Sequence, residues 1–467
     1  MLEKLDNLPR PRHTCRRAAA LGATAALASA VAFAGMVPAA TSASAQSKTV
    51  TIRIAIVANP QMADIEKLTP YFEKEYPNIK VVYDTLPENT ERSVIETDIA
   101  TQAHEFNAVM ISNYETPIWA KNGWLVNLSK RFIKNDPSYD AGDLLKPIAE
   151  SLSYKGSLYS VPFYGESSFM MYRKSLLAAA GLTMPVHPTW SQIASMAAKL
   201  NNPSKDISGI CLRGLAGWGE NLAPLDTVIN TFGGSWFNMK WEPQLTSAPV
   251  VKAVNFYVNL VRKYGEPGAS NDGFTECLNY YDSGKAAMWY DATSAAGDIA
   301  GAAPKIYADT GYAWAPVGPS GKKSGWQYTW SLSIPNGTAD QQQTWDFLSW
   351  ATSKQYIKLV GQKLGWAQLP PGSRVSTYKI PQYQKAAGAY ANLTLQSMEA
   401  ADPEHPTVHP VPYTGIQFID IPGFINLGTQ VSQQISAATA GRMSVAKALA
   451  TSQQYAKTMV SQYGLGL

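Results

Sequence analysis

The region between residues 50 and 111 alternates strand-like and helix-like patterns, and this alternation limits the fold more than any other feature. Residues 50–57, 79–83 and 108–111 are apolar and rich in β-branched side chains, which predicts three strands. Residues 61–76 and 92–103 carry apolar side chains at helical spacing. The order β-α-β-α-β is typical of a mostly parallel sheet that is covered by helices.

Polar side chains follow the first and third predicted strands. Asn59 and Gln61 come after the first strand, and Asn113 and Tyr114 come after the third. Because ligands bind at the carboxyl ends of strands in open α/β sheets, these four residues are candidates for ligand binding. The alternative is ordinary turn chemistry, which Asn also serves, and this alternative is stronger for Asn59 than for Tyr114.

A carboxylate lies in a turn between two further strand-like runs. Residues 158–163 and 169–172 are apolar and aromatic, and the turn between them contains Tyr164 and Glu166. A buried carboxylate needs a charged or hydrogen-bonding partner, so Glu166 is predicted to accept hydrogen bonds from a hydroxylated ligand. The alternative is a glutamate that caps the turn or pairs with Arg173.

The first 45 residues have the features of a removable signal peptide. Basic residues precede an Ala-rich apolar run at 18–37, and small residues follow at 43–45, so residues 1–45 are expected to be cleaved near Ala45. The apolar run is weak and ends at Pro38, which argues against a membrane span. The pair Arg16-Arg17 permits twin-arginine export, and the general secretory route is the alternative.

The remaining chain is long and nearly neutral. Removal of the leader leaves 422 residues and lowers the formal net charge from +4 to +1, which excludes a nucleic-acid surface. No later segment has the long uncharged apolar run of a transmembrane helix. A soluble, exported chain of this length is expected to form two domains.

Two cysteines remain after the leader, Cys211 and Cys277. An oxidising compartment favours a disulfide between them. The alternative is a pair of buried free thiols, which pack as small apolar side chains. The sequence alone leaves both open, because a disulfide requires the two Cα atoms to lie close together.

Loops rich in Gly or Pro contain aromatic and polar residues that are further candidates for ligand contact. These candidates are Trp218, Glu220 and Asn221 at 214–222, Trp236 at 233–237, Trp366 and Arg374 at 365–374, and Tyr413 and Gln417 at 409–418. Asp291 directly follows a buried strand at 286–290. Glycine lets the backbone approach a ligand closely, and no Lys-Ser/Thr follows these loops as it would in a phosphate-binding loop.

Seven segments carry a family resemblance. They are residues 71–80, 161–174 (Val-Pro-Phe-Tyr-Gly-Glu-Ser-Ser-Phe-Met-Met-Tyr-Arg-Lys), 254–257, 284–293 (Gly-Lys-Ala-Ala-Met-Trp-Tyr-Asp-Ala-Thr), 350–354, 412–418 and 441–449. In these segments the chain resembles the extracellular solute-binding proteins of bacterial ABC importers. The segments around Glu166, Asp291 and Gln417 are similar to those of the group that binds sugar alcohols such as sorbitol and mannitol.

The resemblance implies an α/β fold of two lobes, the type II periplasmic-binding-protein fold, with parallel-type sheets flanked by helices. It implies an N-terminal lobe of residues 46–163 and 320–350, and a C-terminal lobe of residues 164–319 and 351–467. A ligand cleft lies between such lobes. The implied protein is a periplasmic monomer that closes on its ligand about a hinge and docks on the permease subunits of an ABC importer. It has no cofactor and no catalytic residue.

The resemblance also implies positions for individual residues. In this family a carboxylate at the position of Glu166 lies against ligand hydroxyls. The loop from Trp218 to Asn221 and the residues after Trp289 fall at positions that line the cleft. Trp366 and Arg374 fall on a loop that faces it.

The candidate residue types suit a linear sugar alcohol, which is neutral and carries a hydroxyl on every carbon. Each hydroxyl both donates and accepts a hydrogen bond, so a site needs carboxylates as acceptors and Asn, Gln or Arg as donors. An aromatic ring covers the C–H face of a carbohydrate without a hydrogen bond of its own. Trp218, Trp236 and Trp366, which Gly or Pro flanks in loops, are the candidates for this role.

Other functions are less well supported by the residues. A secreted glycoside hydrolase needs two carboxylates that face each other across a sugar, and Glu166 and Asp291 are the candidates for such a pair. A binding protein for a cyclic sugar or an oligosaccharide differs only in its ligand. The sequence contains no Gly-x-Ser-x-Gly or His-Glu-x-x-His motif. His405 and His409 lie in a Pro-rich segment that favours solvated loop histidines over a metal site.

Overall fold

The computed structural model describes residues 49–323 and 325–466, and the predicted leader of residues 1–45 lies outside them. The strands in this range are β1 Val50–Val57, β2 Ile79–Leu86, β3 Ala108–Ser112, β4 Ser153–Tyr154, β5 Ser157–Leu158, β6 Ser160–Glu166, β7 Ser168–Arg173, β8 Met288–Ala292, β9 Thr310–Trp314 and β10 Tyr328–Ser333.

The α-helices in the same range are α1 Pro60–Glu75, α2 Glu88–Thr101, α3 Glu115–Lys121, α4 Leu128–Arg131, α5 Lys146–Ser151, α6 Lys174–Ala179, α7 Trp190–Leu200, α8 Leu222–Thr231, α9 Ala248–Tyr264, α10 Phe274–Asp282, α11 Ala295–Ala302, α12 Pro304–Asp309, α13 Gln341–Ala351, α14 Lys354–Lys363, α15 Pro381–Ala386, α16 Ala391–Glu399, α17 Phe424–Thr439 and α18 Val445–Tyr463. Short 3-10 turns lie at Ile133–Asn135, Pro137–Tyr139, Ala141–Asp143, Pro203–Lys205, Ala269–Asn271, Trp366–Gln368 and Val375–Lys379. Among these described helices, none combines the length and the apolar composition that a bilayer crossing requires.

Five strands form the first sheet, which we call sheet 1, in the order β2-β1-β3-β10-β6. Strand β1 pairs in parallel with β2 and with β3, as the β-α-β-α-β pattern predicts. Strand β10 pairs in antiparallel fashion with β3 and with β6. Sheet 1 therefore has a parallel half, built by the first 65 or so described residues, and an antiparallel half built by strands that connect to the second sheet.

Three strands form the second sheet, which we call sheet 2, in the order β8-β7-β9. Both neighbours of β7 pair with it in antiparallel fashion. Helices α11 and α12 join β8 to β9, and these two strands run in one direction while β7, which continues from sheet 1, runs in the other. The predicted α/β class is confirmed. Parallel pairing was predicted for both sheets, but among the named strands it occurs only between β1 and its two neighbours, β2 and β3.

Side chains of β1 alternate between the two faces of sheet 1. Ile54 is buried in the same apolar cluster as Met62 and Ile65 of α1. Its neighbour Ala55 lies in a second cluster with Ile95 and other residues of α2. Successive side chains of a strand point to opposite faces, so these two clusters place helices on both sides of the sheet.

A single residue connects β6 of sheet 1 to β7 of sheet 2. Strand β6 ends at Glu166 and β7 begins at Ser168, so Ser167 is the link. The lobe boundary that the resemblance implies, between residues 163 and 164, falls within β6. The strand instead continues through Pro162, and its register with β10 shifts opposite that proline. Glu166 is therefore the last residue of β6.

Helix α14 packs on α1 and β6 of sheet 1, whereas the family resemblance assigned residues 351–467 to the C-terminal lobe. Trp350 lies 5.5 Å from Phe72 of α1 and 5.3 Å from Tyr356 of α14, measured between ring centroids. Tyr356 in turn lies 5.6 Å from Phe163 of β6. These aromatic contacts bury α14 against sheet 1, which the sequence pattern of a single helix could not reveal.

A disulfide joins Cys211 to Cys277, with the two Cα atoms 5.9 Å apart. Both residues are fully buried. Cys211 forms a bridge with Trp289 at the edge of sheet 2, and Cys277 lies within α10. The bond therefore fixes α10 to the segment that leads from residue 211 into the Gly-rich loop.

Replacement of both cysteines by alanine is expected to lower the free energy of unfolding by about 4 kcal/mol, because a bond that closes a loop of this length strongly restricts the unfolded chain. Chemical denaturation of the wild type and the double variant, each with and without a reductant, measures the difference. The reductant should destabilise the wild type only. Equal stability of all four samples would contradict a disulfide in solution.

Candidate ligand-binding site

A cavity of about 280 Å³ lies beside the carboxyl ends of β1 and β6. Segments attached to sheet 1 and segments attached to sheet 2 both line it. The lining residues are Val57, Ala58, Asn59, Pro87, Glu88, Tyr164, Glu166, Arg213, Leu215, Trp218, Gly219, Glu220, Ala223, Phe274, Thr275, Glu276, Ala292, Ser294, Trp326, Tyr328, Trp330 and Gln417. Six of them belong to the predicted set: Asn59, Tyr164, Glu166, Trp218, Glu220 and Gln417.

The end of β1 brings an amide to the cavity. Helix α1 starts directly after Asn59, whose Oδ1 accepts a hydrogen bond of 2.9 Å from the backbone N–H of Met62 and so caps the helix. The Nδ2 atom of Asn59 donates to the hydroxyl of Tyr164 at 3.1 Å. Asn59 therefore performs the turn chemistry that the sequence allowed and also holds Tyr164 in the cavity wall.

Glu166 is a nearly buried carboxyl group at the junction of the two sheets, with 6% of its surface exposed. The hydroxyl of Ser294 donates to its Oε2 at 2.6 Å. Burial raises the pKa of Glu166 to about 8, so the group is a neutral carboxylic acid at neutral pH. In that form it both donates and accepts, which is the hydrogen-bonding behaviour that a ligand hydroxyl matches.

A buried ion pair stands behind the cavity on the side of sheet 2. The guanidinium of Arg213 donates from Nε to Oδ2 of Asp291 at 2.9 Å and from Nη2 to Oδ1. Its Nη1 donates to the backbone oxygen of Gly219 at 2.7 Å. Asp291 also accepts from Trp289 Nε1 and from the N–H of Ala292. Arg213 lines the cavity, and Asp291, which the sequence predicted as a ligand acceptor, lies fully buried behind it.

A second buried arginine stands on the side of sheet 1. Arg92 donates from Nε and Nη2 to Oε1 of Glu88, and from Nη1 to Glu115. Its guanidinium carbon lies 4.2 Å from the ring centroid of Trp218 and 4.8 Å from that of Trp330. Arg92 thus fixes one cavity carboxylate and two cavity rings by charge and cation–π attraction.

Three aromatic residues of the cavity wall were not predicted from the sequence. Trp326, Tyr328 and Trp330 all line the cavity. They occur at every second position, the spacing that places side chains on one face of a strand, and β10 spans Tyr328–Ser333. This spacing was a usable signal, but the prediction favoured rings flanked by Gly or Pro in loops. Arg213, which follows a strand-like run, was also missed.

Glu220 and Gln417 reach the cavity from two loops. Oε2 of Glu220 accepts from the N–H of Phe274, at the start of α10, at 3.2 Å. The Nε2 of Gln417 donates to the backbone oxygen of Gln327 at 2.8 Å. The protein thus holds one polar atom of each side chain in place, and no described residue forms a hydrogen bond with the other.

Five of the predicted residues outside the cavity wall support its surroundings. Gln61 donates to Asp298 at 2.8 Å, Asn113 accepts from the N–H of Thr329, and the hydroxyl of Tyr114 donates to the backbone oxygen of Ile421. Asn221 donates to the backbone oxygens of Gly214 and Ser432, and Trp236 donates to Asp226. These bonds hold each of the five side chains to the protein, and none of the five residues lines the cavity.

Three more predicted residues lie away from the cavity. The hydroxyl of Tyr413 accepts from the N–H of Trp236. Trp366 packs on Gly361 of α14, so closely that a Cβ at residue 361 would lie 2.3 Å from the indole. Arg374 is completely buried, and its three donor nitrogens bind the backbone oxygens of Thr352, Asp140 and Tyr139. Arg374 therefore joins segments of the chain to one another.

This two-sheet α/β architecture, with a small polar and aromatic cavity between segments of both sheets, defines a binding protein for a small molecule. Residues 59–358 match the family described as bacterial extracellular solute-binding protein. The chain belongs to this family, and its members are binding proteins. The resemblance drawn from the sequence segments is thereby confirmed.

Similarity to individual proteins extends over most of the chain. It is 43% identical to the mannitol-binding protein of Pseudomonas aeruginosa, over 86% of this chain and 92% of that protein. A solute-binding protein structure from Agrobacterium vitis with bound D-mannitol has 46% identity and a TM-score of 0.87, over 89% and 99% of the two chains. A ribitol-bound structure from Agrobacterium radiobacter shares the fold, with 23% identity and a TM-score of 0.78, over 88% and 99% of the two chains.

Replacement of Asp291 by asparagine is expected to lower the free energy of unfolding by about 3 kcal/mol, because it removes the bidentate counter-ion of the buried Arg213 guanidinium and leaves only the longer 3.7 Å contact with Glu220. Replacement of Glu166 by glutamine is expected to change it by less than about 1 kcal/mol, because the side chain is neutral already at neutral pH. Urea unfolding of both variants at neutral pH provides the comparison. Equal destabilisation by the two substitutions would contradict the assignment of the charges.

Proposed function

We propose that the protein captures a sugar alcohol of the mannitol class in this cavity and delivers it to the permease subunits of an ABC importer. The observation that carries the proposal is the chemistry of the cavity wall. Buried carboxyl and amide groups each make one bond to the protein and keep a second polar atom for a ligand. Aromatic rings on β10 and in the Gly-rich loop lie beside them. The mannitol-binding relatives support the same ligand class.

The number of polar groups suffices for binding of ordinary strength. Hydrogen bonds to charged groups contribute about 1.5–3 kcal/mol each, and neutral ones about 0.5–1.5 kcal/mol. A micromolar dissociation constant corresponds to about −8 kcal/mol. Bonds from Glu166, Glu220, Glu88 and Gln417, together with ring contacts, reach that value after the cost of ordering a flexible ligand.

The volume of the cavity favours a small ligand over an oligosaccharide. Pockets for drug-sized ligands have volumes of about 300–1,000 Å³, and this cavity, at about 280 Å³, lies just below that range. A hexitol needs little room, whereas a chain of sugar rings would extend beyond the wall.

Contacts outside the cavity support closure about a hinge. Gln61 of α1, which packs on sheet 1, donates to Asp298 of α11, which lies between β8 and β9 of sheet 2. Asn89 of α2 donates to the backbone oxygen of Ala216 in the Gly-rich loop at 3.0 Å. Both bonds connect elements of the two sheets, and both would break if the sheets moved apart. We therefore assign the described geometry to a closed arrangement.

The hydrolase alternative is not favoured. It would use Glu166 and Asp291 as a catalytic pair, but both oxygens of Asp291 are engaged by Arg213 and by neighbouring N–H groups. A carboxylate with no free oxygen facing the cavity makes a poor nucleophile or base. The proposed role is therefore binding and release of an unaltered ligand, in a periplasmic protein whose leader is cleaved near Ala45.

Isothermal titration of the protein with D-mannitol should give one binding site with a micromolar or tighter dissociation constant, and maltose should give no heat. Replacement of Glu166 by alanine should weaken mannitol binding by about tenfold or more, because one hydrogen-bonding group is lost at the junction of the sheets. Glu150→Ala is a matched control, since Glu150 is an exposed glutamate of α5 outside the cavity. Absence of mannitol binding in the wild type would refute the proposal.

A further inference from the structure

Carboxylates outnumber cations in the cavity wall. Glu88, Glu220 and Glu276 line it together with the neutral acid Glu166, and among the described lining residues the single cation is Arg213. The guanidinium of Arg213 is paired with Asp291, donates to the backbone oxygen of Gly219, and lies 3.7 Å from Oε2 of Glu220 through its Nη1. A neutral polyol needs acceptors for its hydroxyls but no net charge on the wall, because an amide oxygen also accepts from a hydroxyl.

Three of the acids lie along one stretch of the wall. Oε1 of Glu88 is so near the Gly-rich loop that a Cβ at Gly219 would lie 1.9 Å from it. Oε2 of Glu220 is similarly near the start of α10, since a Cβ at Gly273 would lie 2.4 Å from it. Glu276 follows on α10, where its Oε2 accepts from the N–H of Gly273 at 2.8 Å. Because residues 219 and 273 are glycines without a Cβ, these acidic side chains can lie close to the backbone there.

Each of these acids has one oxygen that no described residue binds. The protein engages Oε1 of Glu88, and Oε2 of Glu166, Glu220 and Glu276. Glu166 and Glu220 are more than nine-tenths buried, so their remaining oxygens face the cavity and not bulk solvent. Burial, and then the charge of Glu88, raise the pKa of Glu220 to about 7. A positive ligand charge would relieve this repulsion.

The distances between the acids favour an organic cation over a metal ion. In the described part of the chain, no three of these carboxylates bring oxygen atoms within 4.8 Å of one another. A metal ion requires such convergence, whereas an ammonium group needs only one or two acceptors. An alkylamine has a pKa of about 10.4 and is protonated at neutral pH.

We propose that the cavity also accepts amino-alditols, in which an ammonium group replaces one terminal hydroxyl, and rejects aldonates, in which a carboxylate replaces it. This inference rests on the proposed function and names the charge of the ligands that the same site takes. The ammonium group lies against Glu88, Glu220 and Glu276, and the remaining hydroxyls bind as those of mannitol do. An aldonate would bring a negative charge to the same acids.

The test titrates the protein with three ligands on one carbon skeleton: D-mannitol, 1-amino-1-deoxy-D-mannitol and D-mannonate. The amino-alditol should bind at least as tightly as mannitol, and mannonate should bind weaker by about a hundredfold, since like charges at a buried site oppose binding. Added salt should weaken binding of the amino-alditol more than binding of mannitol.

Two variants locate the source of the selectivity. Glu220→Gln should lower the ratio of amino-alditol affinity to mannonate affinity by about tenfold, because a charge-assisted hydrogen bond becomes a neutral one. Glu276→Gln, at an exposed position of α10, should lower the ratio in the same direction and keeps the test valid if the buried variant does not fold. Glu150→Gln removes one distant negative charge and should leave the ratio unchanged.

The outcomes separate this inference from the proposed function. Tight binding of mannitol together with equal binding of the amino-alditol and mannonate would overturn the charge selectivity and leave the polyol site intact. A ratio that changes as much in Glu150→Gln as in the cavity variants would also overturn it. Failure of mannitol itself to bind would refute the polyol site, and the charge selectivity with it.

Discussion

The cavity depends on two buried arginines, each of which is paired with a buried carboxylate and holds a second group of the cavity wall in place. Arg213 is paired with Asp291 and holds the Gly-rich loop through the backbone oxygen of Gly219. Arg92 is paired with Glu115 and holds Glu88. A buried ion is stable only when it is paired and its other donors are satisfied. The two pairs therefore fix the wall before any ligand arrives, and a preformed wall reduces the ordering cost of binding.

The fold was largely predictable because its strongest signals are local. The period of the apolar side chains between residues 50 and 111 is set by neighbours a few positions apart, and it placed β1, β2 and β3 correctly within a few residues. The packing of α14 on α1, by contrast, is a contact between segments that are distant in the sequence. It depends on aromatic contacts between residues far apart in the chain, such as Phe72 and Trp350, and the periodicity of one helix carries no information about its partner.

The site was predictable in part, for the same physical reason. Asn59, Glu166 and Trp218 stand at strand ends or in glycine loops, where local sequence marks a cavity edge. Asp291 has the same local signature, yet it faces inward because an arginine 78 positions away neutralises it. Which of the two acids lines the cavity is thus decided by the position of a distant cation. The two members of such a pair are far apart in the sequence, so the pair becomes visible only in the folded structure.

The aromatic wall links ligand capture to closure. Trp218 belongs to the loop that Arg213 holds beside sheet 2, and Trp330 belongs to β10 of sheet 1, and both rings lie on the guanidinium of Arg92. Both rings line the cavity. Under the proposed function, a ligand between them would limit their separation and so stabilise the arrangement in which both cation–π contacts with Arg92 are intact. Only interactions that differ between the open and closed states can shift their equilibrium. Trp218 makes such an interaction, because its contact with Arg92 spans elements of the two sheets.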